Sequence, residues 1–120
     1  VECPREATAL VRAERITPLQ EDGGKYLNYP LFPFEEERQF ELYRIVILPG
    51  GELQAQPHIA GTEEYVTVFA GRAEITTDGQ TFVLCEGDAL RFHADTAHSY
   101  RNCGEETVQM SMLIYYSQKK

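Results

Sequence analysis

The run Gly87-Asp88-Ala89-Leu90-Arg91-Phe92-His93-Ala94-Asp95-Thr96-Ala97-His98-Ser99-Tyr100-Arg101-Asn102 holds two short β signals on either side of a polar turn. Residues 89–93 and 98–102 are the strands, and Glu86-Gly87 and Cys103-Gly104 mark the corners. Side chains alternate across a strand, so His98, Tyr100 and Asn102 share one face. By the same rule Glu64, Val66 and Val68 share a face of their own strand. If both faces point inward, a carboxylate and an imidazole meet inside an otherwise apolar interior.

The same pattern extends outward from this stretch. Residues 40–48, 53–58, 65–69, 73–77, 81–84 and 108–116 are rich in Val, Ile, Tyr, Phe and Thr, and short turns separate them. Asp78-Gly79 is a hairpin signal, because a tight primed turn needs positive φ. No window of 11 or more residues has a convincing 3.6 period, so little helix is expected. Many short, evenly spaced strands predict a sandwich or small barrel. Before residue 40 the reading changes. Residues 10–13 alternate weakly and could form a strand, and Glu21-Asp22-Gly23-Gly24-Lys25 is a turn signal. Residues 26–34 are dense in aromatics but carry Pro30 and Pro33, which predicts an extended arm or an edge rather than a central strand. We therefore expect one domain. Residues 1–39 supply its N-terminal strand or strands and aromatic-proline arm, and residues 40–120 supply its barrel.

With 120 residues the chain can bury one core but not two, and 42% hydrophobic with 25% charged residues fits a globular domain. No apolar run approaches the roughly 20 residues of a membrane-spanning helix. Eleven Lys and Arg against 19 Asp and Glu give a net charge of −8, which repels a phosphate backbone. The three cysteines, Cys3, Cys85 and Cys103, form no CxxC pair and read as free thiols of a reducing cytoplasm. The polar start at Val1 has neither an initiator methionine nor a signal peptide, and fits a chain cut from something longer.

Gly87, His98 and Asn102 resemble the second cupin motif, with His93 and Asp95 at the Pro and Gly of its turn. Gly51, Pro57-His58-Ile59, Glu64 and Gly71 resemble the first. The two histidine positions of that motif fall on Pro57 and Ile59. His58 lies between them, on the opposite face of a regular strand, unless a bulge near Ile59-Ala60-Gly61 turns it inward. In the plain register only Glu64 and His98 remain as ligands, and a catalytic metal normally has three protein ligands. The alternative is a buried hydrogen-bonded Glu64–His98 pair, or a solvated loop that carries both Glu63 and Glu64. Phe40-Glu41-Leu42-Tyr43-Arg44, residues 57–68 and residues 90–95 resemble the C-terminal cupin domain of bacterial Xre-type helix-turn-helix transcription regulators.

The resemblance implies an all-β double-stranded β-helix, or jelly roll, of two antiparallel sheets. Its pocket would be lined by Glu64, Val66, Val68, His98, Tyr100 and Asn102, with Phe92 and Met110 beside them. His58, Glu64 and His98 would be the ligands of any divalent transition metal. It further implies a cytoplasmic homodimer that binds a small-molecule effector. Nucleic acid would be reached only through an N-terminal helix-turn-helix that this chain does not contain, and no membrane is involved. A metal-dependent cupin enzyme, such as a small dioxygenase or isomerase, and a stand-alone ligand-binding cupin are the alternatives.

Overall fold

The computed structural model describes residues 7–117, so Cys3 lies outside the described residues. Ten strands form two antiparallel sheets: β1 (Leu19–Glu21), β2 (Tyr26–Phe32), β3 (Phe40–Ile47), β4 (Glu52–Ala55), β5 (Glu63–Ala70), β6 (Ala73–Thr77), β7 (Gln80–Leu84), β8 (Ala89–His93), β9 (His98–Asn102) and β10 (Val108–Tyr115). The first sheet runs β1-β2-β3-β10-β5-β8 and the second β4-β9-β6-β7. This is the all-β two-sheet architecture expected from the strand pattern, and the jelly roll that the resemblance implies. Two 3-10 turns, Ala13–Arg15 and Asp22–Gly24, are the helical segments among the described residues.

Burial follows the two-residue period. Val108, Met110, Met112 and Ile114 of β10 point inward, as do Glu64, Val66 and Val68 of β5. From the facing sheet come Ala73 and Ile75 of β6 and His98, Tyr100 and Asn102 of β9. The two inner faces interdigitate into one core. Asp78 and Gly79 both take positive φ (51° and 76°) between paired Thr77 and Gln80, the primed turn that the dipeptide predicts. Gly71 turns the chain at φ 80°, and a Cβ there would stand 2.7 Å from the Thr107 carbonyl oxygen. That contact and its φ both require glycine.

Two expectations for the N-terminal third are corrected. Residues 10–13 form no strand. Leu10 is 71% exposed, and weak alternation makes no strand without a partner edge to pair with. Of the arm and edge readings of the aromatic-proline segment the first is overturned, because β2 pairs with β3 from Tyr26 to Phe32. Pro30 is accommodated because β1 covers only Tyr26 to Asn28, so at Pro30 the strand is locally the sheet edge. The register also shifts between Pro30 and Phe32.

Candidate functional site

Glu64 sits on β5 between Ile114 of β10 and Phe92 of β8, facing the core. A carboxylate at 1% exposure must be paired or neutral, and this one is paired on both oxygens. The Tyr100 hydroxyl, from the opposite sheet, donates to Oε1. Oε2 lies 3.2 Å from Nε2 of His98 and 3.5 Å from Nε2 of His58. Burial alone would raise the Glu64 pKa. The bonds to His58, His98 and Tyr100 outweigh it and hold the carboxyl below its ordinary value. The alternative in which Glu63 and Glu64 share a solvated loop is thereby excluded.

His98 opens β9 and its side chain is wholly buried. Phe92 and Tyr100 meet its ring edge-on, at 5.4 and 5.6 Å between centroids. Its Nδ1 is 2.8 Å from the Thr96 carbonyl, which can only accept, so Nδ1 carries a hydrogen. In the neutral imidazole Nε2 then presents a lone pair to the Glu64 carboxylate. Two acceptors face each other, and a cation resolves the conflict: either a proton on Nε2 or a metal between the groups. Burial pushes the His98 pKa down, but Glu64 and Thr96 together lift it above its usual value.

His58 is the correction of greatest consequence. Strand parity placed it outward, yet its ring stacks on His98 at 5.8 Å between centroids and Nε2 reaches Glu64. The reason is that β4 ends at Ala55, so residues 56–60 are irregular and parity no longer holds. The His58 amide donates to the Ala94 carbonyl at 2.8 Å, which draws the loop toward the turn between β8 and β9. Ile59 points out instead, at 68% exposure.

The donor atoms of His58, Glu64 and His98 all lie within 4.8 Å of one another. They fit a transition metal on two counts. First, His98 Nε2 is buried without a hydrogen-bond partner although Glu64 Oε2 is 3.2 Å away, which leaves its lone pair for an ion. Second, ligands about 2.1 Å from one ion stand roughly 3.0–3.4 Å apart in octahedral or tetrahedral geometry. The His98–Glu64 distance of 3.2 Å falls within that range, and the His58–Glu64 distance of 3.5 Å stands just outside it. Two neutral imidazoles and one carboxylate suit a divalent ion of the zinc, iron or manganese type.

Above the donors opens a cavity of about 390 Å³, walled by Tyr26, Asn28, Glu41, Tyr43, Leu53 and Gln56 among others. Of the residues expected to line a pocket, Glu64 and Tyr100 border this space. His98 and Phe92 do not border it, and their rings meet edge-on. Val66, Val68 and Met110 belong to the apolar core. Asn102 acts elsewhere: its amide donates to the carbonyls of Ile47 and Glu106, and its oxygen accepts from the Gly104 amide. Tyr26, Asn28 and Glu41 were missed from sequence. Their signal was the two-residue period of Tyr26/Asn28 and Glu41/Tyr43, hidden by the prolines that follow. A larger hollow of about 800 Å³ lies against Phe32, Phe40, Leu42 and Leu113, and none of the three donors reaches it.

A family profile of the cupin domain (Cupin_2) matches residues 44–115. The chain is 38% identical over 86 residues to the HTH-type transcriptional regulator SutR of Escherichia coli (strain K12), covering 72% of this chain and 48% of that protein. It is 37% identical over 81 residues to quercetin 2,3-dioxygenase of Bacillus subtilis (strain 168), covering 66% of this chain and 23% of that protein. The chain thus spans half or less of these two relatives. Among solved structures, the Cupin_2 domain of an XRE family transcriptional regulator from Enterobacter cloacae superposes with a TM-score of 0.75 at 34% identity. The match covers 78% of this chain and 99% of that one. No helix among the described residues is long and apolar enough to cross a membrane. The two-sheet fold, the inward carboxylate and imidazoles, and the match over residues 44–115 together establish that this chain belongs to the cupin family.

Proposed function

We propose that this chain is the ligand-sensing part of a cytoplasmic helix-turn-helix transcription regulator, with DNA reached through a segment outside the given sequence. The cavity between the sheets takes a small effector. His58, Glu64 and His98 hold a divalent transition metal at its floor. When bound, that metal would supply a Lewis-acidic site for the effector to touch. Tyr100 fixes Glu64 by its Oε1 and leaves Oε2 toward the imidazoles. The observation that carries the reading is the convergence of three buried or half-buried donors under a cavity, in a chain similar to regulator cupin domains. The chain acts as a homodimer, so that two attached DNA-binding units read two half-sites.

Metal content by mass spectrometry, on protein without a histidine tag, tests the floor of the site. Close to one equivalent in the native chain, lost in His98→Ala, is expected. No metal in either protein would refute it. The sensing role is tested by DNA affinity of the full-length regulator with and without effector, and an unchanged affinity refutes it. A second reading, a metal-dependent enzyme, is favoured by the three-ligand set and the similarity to a dioxygenase. Quercetin-dependent oxygen uptake by the metal-loaded chain would decide for it.

A further inference from the structure

The cavity carries a second carboxylate that the metal does not need. Glu41 faces inward from β3 opposite Ile114, beside Tyr43. Its Oε1 accepts the Tyr116 hydroxyl at 2.8 Å, and the Tyr43 hydroxyl bonds the same carboxylate. Both donors are uncharged. Among the described residues no Lys or Arg borders the cavity, and none pairs with Glu41. In the same wall Asn28 Oδ1 is buried with no hydrogen-bond partner. This wall thus offers two acceptors, one of them a carboxylate, beside the rings of Tyr26, Tyr43 and Tyr100.

We propose that the cavity binds an organic ammonium ion, with Glu41 as its counter-charge. The inference rests on reading the cavity as an effector site and assigns its chemical class. An ammonium group donates to Glu41, neutralises its charge, and is attracted by aromatic faces. A carboxylate ligand would set like charge against Glu41. An alcohol would satisfy hydrogen bonds but leave a half-enclosed negative charge uncompensated. Glu64 is already engaged by the two imidazoles and Tyr100, which leaves Glu41 as the carboxylate of this wall with uncharged partners.

Benzylamine, benzyl alcohol and benzoate form a shape-matched series. Protein-observed NMR titration of the metal-free and metal-loaded chain reads their affinities. Benzylamine is expected to bind at least about tenfold tighter than the other two, with shifts centred on Asn28 and Tyr43. Glu41→Gln should erase the preference while metal content stays unchanged, and Asn28→Asp should sharpen it. Equal or tighter binding of benzoate or benzyl alcohol overturns the proposal. So does a preference that survives Glu41→Gln, or a cavity that responds to none of the three. Should Glu41→Gln not fold, Asn28→Asp alone carries the test. Failure of the sensing role is read separately, by DNA affinity of the full-length regulator, and leaves this preference standing.

Discussion

Removing one oxygen atom tests the logic of the site. In Tyr100→Phe the ring keeps its packing against Tyr26 (6.1 Å between centroids) and His98, so almost no cavity forms. What is lost is the hydroxyl that donates to Glu64 Oε1 inside the core. A buried hydrogen bond to a charged group contributes about 1.5–3 kcal/mol, and the orphaned carboxylate oxygen keeps the cost in that range. For a domain of this size that corresponds to a Tm lower by roughly 6–12 °C. Metal affinity should fall about 10–100-fold as well, because the hydroxyl orients the ligating carboxylate. Thermal unfolding followed by circular dichroism reads the first effect. A competitive titration against a chelating dye reads the second. A Tm within about 1 °C of the native protein and an unchanged metal affinity would refute the argument. Loss of stability with metal affinity intact would mean that Tyr100 holds the fold but not the ligand.

The pH dependence of the metal-free chain has two flanks. Glu64 is depressed on folding, so its contribution is present above about pH 4.5 and lost as pH falls through its lower folded value. His98 is raised, so its contribution is full below about pH 6.5 and lost as pH rises through its higher folded value. Stability should therefore peak between these flanks and fall toward alkaline pH, and His98→Gln should flatten the alkaline flank in denaturant titrations. Metal affinity should run the other way and rise through that range, because ligation needs the neutral imidazole. His58→Ala should lower metal affinity at least about tenfold while Ile59→Ala leaves it unchanged, measured in the same competition assay. Asn102→Ala should cost about 1–3 kcal/mol by urea denaturation, since the buried Ile47 carbonyl and the part-buried Glu106 carbonyl lose their donor, and should not alter metal stoichiometry.

Much of the site was written in strand parity. Within a regular strand a two-residue period fixes which side chains share a face, so Glu64 with Val66, and His98 with Tyr100, could be placed before any coordinates. Parity fails where the ladder stops. His58 lies three residues past the end of β4, and its direction depends on a backbone bond to Ala94, 36 positions later. The arm reading of residues 26–34 failed for a related reason. Proline reads as a strand breaker, but the tolerance of β2 for Pro30 depends on how far the neighbouring β1 extends, and no local signal encodes that.

The sequence by itself determined the all-β class, the hairpin at Asp78-Gly79, the inward faces of β5 and β9, and the net charge of −8. These are local or additive properties: backbone propensity, alternation and a sum of charges. Only the tertiary structure decided that His58 completes a three-donor group and that Tyr100 splits the Glu64 carboxylate. It alone brought Glu41 and Asn28 to one wall of the cavity. Those are convergences of residues far apart in the chain. Their distances are set by how two sheets pack, which no single stretch specifies.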